Sequence, residues 1–317
     1  MTSADSLNGE GMIKDQSRSR AQANLAALAK GDVVYQPWQE YRREFTWRTS
    51  AQGTAALRCV EYPPVEAPLV KGRLLMVPPA QGTDRRTAEI DTVYLCVEGD
   101  ADFTVGSTTF ALKPLDLLSI PQGLEYEFVN SGLVNTLLCG IYAKSEGATA
   151  ALRSNAPAPP KHMVWAQYRR DFRWTLPWAE QWGYHRGSGP LVISDGLRGH
   201  TVRQPPGQST PWHAPARDMV FMGIQHEVEF KAGGRECPLG PLDFLIIPAG
   251  TPYQYTNYGL SETVFFSIGG KLPPGKKATY FVSDPGWPIR GDAEELRVEI
   301  DSHGDARVSG KTPVPNG

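Results

Sequence analysis

The sequence predicts an all-β chain built from two tandem barrels or sandwiches, with a short helix near its N-terminus. Three observations carry that expectation. The 317-residue chain matches itself at a shift of 127 positions: residues 41–141 pair with 168–268 without a gap, and 30 of those 101 pairs are identical. A repeat visible within one chain is evidence of duplication in itself, and missing it would miscall the fold. Each copy also alternates short β-branched and aromatic runs with turn residues at roughly ten-residue spacing, as sandwiches and barrels do. Finally, 32 glycines and 27 prolines suit many short elements joined by turns better than a helical bundle.

The elements follow in order. The stretch 16–30 (QSRSRAQANLAALAK) is Ala-rich and ends at Gly31, a usual helix stop. YRREFTWR at 41–48 opens the first copy and returns as YRRDFRWT at 168–175. VYLCVEG (93–99) reads as a strand ended by Gly99, and ADFTVGSTTFAL alternates about a Gly106-Ser107 turn as a hairpin. LDLLSIP is a short apolar strand stopped by Pro121, and YEFVN opens the next strand after Gly123. The block KPLDLLSIPQGLEYEFVN (113–130) recurs as GPLDFLIIPAGTPYQYTN (240–257). Between the copies, EGATAALRSNAPAPPK is Ala- and Pro-rich, as linkers are. Near the end, ELRVEID alternates Leu296, Val298 and Ile300 and reads as one further strand, with HGDARVSGKTPVPNG expected to fray. The boundaries implied are an N-terminal segment 1–34, a first barrel 35–145, a linker 146–162, a second barrel 163–283 and a tail 284–317.

Composition narrows the function. The formal net charge is −2 and no long basic run occurs, so nucleic acid is not an expected partner. No apolar stretch reaches membrane-spanning length, and the polar N-terminus lacks the apolar core of a signal peptide. Cys59, Cys96, Cys139 and Cys237 lie far apart in or beside apolar runs. They read as buried thiols, which with the missing signal makes the cytoplasm the expected location.

The block at 240–257 resembles the second motif of the cupin superfamily, Gly, then Pro-x-Gly-x-x-His-x-x-x-Asn, at Gly240, Pro248, Gly250 and Asn257. Gly207 with His213 resembles the opening of the first cupin motif, and Gly99 its close in the first copy. The resemblance covers both copies, about two thirds of the chain. It implies two jelly-roll-like cupin barrels in one chain (a bicupin), packed face to face and assembled as a homodimer. It also implies a divalent metal held by three histidines and a glutamate. Taken position by position, those places hold Arg86, Ala88, Thr92 and Tyr126 in the first copy, and His213, Pro215, Met219 and Tyr253 in the second. Most of these residues are not usable ligands, so no cofactor is the expectation. A mononuclear Fe or Mn site needs a shifted set, for which His213, His200 and Asp218 are the available residues.

The second copy alone keeps a cupin histidine, so His213, Tyr253 and Asp218 are the catalytic candidates and the first barrel is expected to be structural. Tyr126 and Tyr253 admit two roles: a packing plug with a satisfied hydroxyl, or a proton donor polarised by Arg86 or His213. Asp91 and Asp218 sit one residue before the expected glutamate. Strict alternation turns them out of the barrel into turn or edge structure, whereas a bulge would turn them in. Trp212 would wall a pocket, Arg203 and Arg217 would anchor an anion, and Tyr255, Arg86 and Tyr126 complete the binding candidates. His226, aligned with Gly99, belongs at a turn. His162, His185 and His303 have no partner pattern, and Trp165, Trp174, Trp178, Trp182 and Tyr184 read as domain packing. Three functions remain open: a small-molecule enzyme using acid–base chemistry on an oxygenated anion, an iron or manganese dioxygenase, and a ligand-binding or storage protein without catalysis.

Overall fold

The computed structural model describes most of 20–49 and all of 57–144, 159–172, 187–189, 192–194, 196–270, 279–281, 297–300 and 306–309. Trp174, Trp178, Trp182, Tyr184, His185 and His303 lie outside the described residues. The protein is all-β, and its described helices are short. Helical residues among 20–28 stop at Gly31, which takes φ +82°, and single turns of helix occupy Trp38–Tyr41 and Trp165–Tyr168. No helix among the described residues is long and apolar enough to cross a membrane.

Two compact units form. Among the described residues the first holds the strands of an eight-stranded and a four-stranded sheet, and the second those of two seven-stranded sheets apart from Val192–Ile193 and the start of Leu197–Gln204. In the first unit the smaller sheet runs Gly82–Thr87, Glu125–Val129, Ala101–Val105, Thr108–Leu112. The larger is centred on Thr92–Glu98, Thr136–Ala143 and Val70–Val77. The second unit repeats these strands as Met219–Gln225, Thr263–Gly270 and Leu197–Gln204 in one sheet and Val228–Ala232 beside Tyr253–Thr256 in the other. The inner faces enclose one core each, with Tyr94, Phe103 and Phe128 in the first and Phe221, Phe230 and Phe265 in the second.

The linear boundaries need correction. Val34–Gln36 pairs with Phe244–Ile247 and belongs to the second unit, while Lys161–Met163 pairs with Leu117–Ile120 and belongs to the first. Each barrel is thus completed by the strand that precedes the other copy. Side chains explain the choice. Tyr35 donates to Asp243 at 2.8 Å, and its repeat counterpart His162 lies 3.6 Å from Asp116. The tail also differs: Arg297–Ile300 is the expected strand, but Ala306–Ser309, expected to fray, pairs with it antiparallel.

The repeated block encodes a set of local clamps. Asp116 accepts the Lys113 amide and Asp243 the Gly240 amide, both at 2.9 Å. Between donor and acceptor sit Leu115 and Leu242, held left-handed at φ 72° and 68°, a conformation costing a leucine about 1–2 kcal/mol. Asn130 donates to the Val77 and Val134 carbonyls and accepts from the Gly132 amide. Asn257 does the same with Gln204, Ser261 and Gly259. Both asparagines are fully buried. All four cysteines are free and buried, as the sequence implied, and burial pushes the Cys59 thiol up to about 11.

Truncating Asn130 or Asn257 to alanine leaves buried carbonyls without donors, at about 1–3 kcal/mol for each group left unsatisfied. Urea unfolding is expected to show losses in that range and of similar size for the two variants. A negligible loss at either site would mean that water or relaxation replaces the clamp.

Candidate functional site

The positions matching cupin ligands do line the two interiors. In the first barrel Arg86 stands opposite Tyr126 across the Gly82–Thr87/Glu125–Val129 pair. In the second, His213 stands opposite Tyr253. A register shift between Tyr126 and Phe128 brings a bulge into the first pairing, and bulges re-aim side chains at barrel rims.

In the first barrel Tyr126, Tyr94 and Tyr142 join Arg86. The Tyr94 hydroxyl lies 3.0 Å from that of Tyr126 and 3.5 Å from that of Tyr142, and accepts from Arg86 Nη2 at 3.2 Å. The guanidinium lies over the rings of Tyr126 and Phe128, 5.0 Å and 5.9 Å from their centroids. Arg86 Nε is buried and has no hydrogen-bond partner, and no carboxylate among the described residues pairs with this side chain. Such ring contacts are worth about 0.5–2 kcal/mol, whereas removing an ion from water costs several kcal/mol. The barrel therefore answers the charge only in part. Burial pushes the Tyr142 phenol up to about 12 and raises Tyr94 and Tyr126 as well. All three are neutral hydroxyls near neutral pH.

In the second barrel His213 is 6% exposed, with its ring centroid 4.0 Å from that of Tyr253. Its Nδ1 lies 2.8 Å from the Pro211 carbonyl oxygen. A carbonyl only accepts, so Nδ1 carries the proton and the neutral ring keeps its lone pair on Nε2. Tyr253 and Tyr255 stack at 6.4 Å within the core. Arg217 is buried and lies across Gly269, where a side chain would meet Arg217 Nε at 2.7 Å. Gly269 is the repeat counterpart of Tyr142. The Arg217 side chain thus passes over the backbone at the position where the first barrel carries Tyr142.

Several expected site residues serve the scaffold. Asp218, a catalytic candidate for which a turn role was also open, accepts the Ala249 amide at 2.9 Å, as a turn residue does. Asp91 does the same for Gln122 at 2.9 Å and also accepts the Gly196 amide at 2.7 Å. Alternation therefore prevailed over a bulge at both aspartates. Arg203 is ion-paired with Glu262 at 2.6 Å and covers Phe172, so its charge is answered within the fold. Trp212 is half-buried in the extended stretch before His213, and His226 takes the left-handed φ of 56° at the turn where Gly99 stands in the first copy. Tyr94 and Tyr142 escaped sequence reading because each lies in an apolar strand whose repeat partner, Phe221 or Gly269, is not a tyrosine.

The divalent metal implied by the cupin resemblance does not fit these residues. Ala88 and Pro215 offer no donor atom in their side chains, the Thr92 hydroxyl is a neutral oxygen already turned to the Ile90 carbonyl, and Arg86 is a cation. The shifted set fails as well, since His213, His200 and Asp218 do not gather. No three of His, Cys, Asp and Glu gather as a metal site among the described residues.

The chain matches no known family model and no curated protein sequence. Among solved structures it resembles AerE from Microcystis aeruginosa, at 11% identity and a TM-score of 0.55, over 72% of this chain and 99% of that one. It also resembles a putative glyoxylate induced protein from Pseudomonas aeruginosa, at 15% identity and a TM-score of 0.56, over 68% of this chain and 84% of that one. A third is the salicylate 1,2-dioxygenase from Pseudaminobacter salicylatoxidans, at 13% identity and a TM-score of 0.56, over 76% of this chain and 84% of that one. These proteins are cupins, and the chain has the cupin fold. Likeness at this identity carries the fold and leaves the chemistry to be argued from the residues present.

The buried phenols make the protein sensitive to alkali in a defined window. A folded-state value raised above the unfolded value of about 10 contributes stability that is complete below about pH 10 and lost as pH rises toward about 12. Phenolate absorbance followed beside circular dichroism is expected to show the buried fraction ionising only as the fold is lost. Full ionisation of every tyrosine near pH 10 with the fold intact would contradict the cluster.

Proposed function

We propose that this protein is a small-molecule cupin enzyme that acts on an oxygenated organic anion by acid–base chemistry in its second barrel. His213 is the base, through Nε2. Tyr253 is the proton donor or the hydroxyl that orients a substrate oxygen. Arg217 anchors the anionic group. Tyr255 and Trp212 flank the site, and Asp218 has no part in the chemistry.

The observation that carries this reading is the hydrogen bond from His213 Nδ1 to the Pro211 carbonyl, which orients the imidazole as a base is oriented in many acid–base sites. The contact of that ring with Tyr253 and the guanidinium over Gly269 add a donor and a charge of the right sign. The names of two structural neighbours, glyoxylate and salicylate among them, suggest small carboxylates as the compounds to try first. The salicylate 1,2-dioxygenase likeness also favours a second reading, oxygenation at an iron or manganese ion with a ligand set other than the family's.

Turnover of small 2-oxo-, 2-hydroxy- and aromatic carboxylates tests both. On a substrate so found, His213→Gln is expected to lower kcat by about 10²–10⁴-fold, as loss of a general base does, and Tyr253→Phe to lower it with KM little changed. Unaltered turnover in His213→Gln would remove the assignment. Metal content of protein purified without chelator separates the readings, since stoichiometric iron that activity requires would favour the oxygenase.

A further inference from the structure

The first barrel lacks a histidine at the cupin positions, yet its interior is not that of a purely structural plug. A plug is expected to satisfy its polar groups internally. Here the guanidinium of Arg86 meets only phenol hydroxyls, that of Tyr94 and that of Tyr126, and has a buried Nε with no acceptor and no carboxylate partner among the described residues. The three phenols share two hydroxyl–hydroxyl contacts, so one of their protons has no acceptor within the trio whichever way the hydroxyls turn. The cluster therefore presents an N–H and an O–H donor around a positive charge, flanked by the rings of Tyr126 and Phe128.

We propose that the first barrel is a binding site for a small organic carboxylate, held between Arg86 and the hydroxyls of Tyr94, Tyr126 and Tyr142. A carboxylate is the match because it supplies one negative charge and only acceptor oxygens, and a guanidinium edge receives two of them side by side. Raised phenols stay protonated at neutral pH, so they add donors without adding opposing charge. The flanking rings favour a flat or apolar body over a highly hydroxylated one. This site does not depend on the chemistry assigned to His213. In it the first barrel has a ligand of its own, where the sequence suggested a structural role.

The test is thermal unfolding and titration calorimetry of the full chain with benzoate, acetate and chloride as probes. Benzoate is expected to raise the Tm of the wild type by several degrees, acetate less, and chloride not at all. In Arg86→Met calorimetry is expected to lose one benzoate site per chain together with its part of the shift, any site at Arg217 being read separately in Arg217→Met, while without ligand the Tm equals or exceeds that of wild type, because a partly desolvated cation has gone. Arg86→Lys keeps the charge but loses the planar edge and is expected to weaken binding roughly tenfold. Tyr126→Phe and Tyr142→Phe, which keep their rings, are expected to weaken it several-fold at unchanged Tm. His213→Gln is expected to retain the full shift. No benzoate binding by wild type, a shift that survives Arg86→Met undiminished, or one lost in His213→Gln would each overturn the proposal, as would an equal response to chloride. If Arg86→Met unfolds, the arginine is a structural support, and undiminished binding in Arg86→Lys and both tyrosine variants would then dismiss the site.

Discussion

The register between two short antiparallel strands decides what each barrel can do. Arg86 faces Tyr126 in one copy and His213 faces Tyr253 in the other, because a period of two leaves no intermediate choice of face. A slip of one residue would empty both interiors of these groups and put the neighbouring residues inside. The clamps of the repeated block hold that register. Asp91 and Asp218 each tie the start of one strand to the turn after another, and the buried asparagines lock the far end by three hydrogen bonds each. The register is thus set by carboxylates and amides whose hydrogen bonds go to the backbone.

That scaffold was legible in the sequence because identity at a fixed shift reports shared backbone needs. Asp116 with Asp243, and Asn130 with Asn257, are identical pairs and make identical bonds. The parts that could not be read are those where the two copies meet one need with different residues. Tyr35 and His162 both reach the aspartate after the left-handed leucine, yet a phenol and an imidazole align as a mismatch, so strand exchange left no signal. The orientation of Asp218 was likewise open, since parity and a possible bulge point opposite ways. Only the amide of Ala249, at hydrogen-bond distance, decides it. Arg217 was placed near the second barrel by position alone. Its path over Gly269 depends on the absence of a side chain there, and a lone glycine in an apolar strand does not announce what will cover it.

Comparing the two interiors shows how a duplicated barrel diverges without losing its packing. Three places change together. Tyr94 becomes Phe221, which removes the hydroxyl at the centre of the first cluster. Tyr142 becomes Gly269, which opens the space that Arg217 takes. Arg86 becomes His213, which exchanges a permanent cation for an imidazole. Both interiors keep a tyrosine opposite the first motif position and an aromatic floor of Phe103 and Phe128 or Phe230 and Tyr255, with Arg86 beside the first and Arg217 across Gly269 in the second. Charge is kept while its source moves from one strand to the loop before the next.

This exchange bears on catalysis because an arginine cannot serve as a base. Its guanidinium stays protonated throughout the working pH range and offers donors only, so the first barrel can hold an anion but cannot take a proton from it. Moving the cation to Arg217 frees the position facing the conserved-parity tyrosine for an imidazole whose Nδ1 is already occupied by a carbonyl. In the proposed function a fixed charge and a proton acceptor act on one molecule, which an arginine in place of the imidazole does not allow. Under the two proposals the copies would differ in kind, one binding and the other binding and moving a proton, with the same fold and nearly the same inventory of side chains.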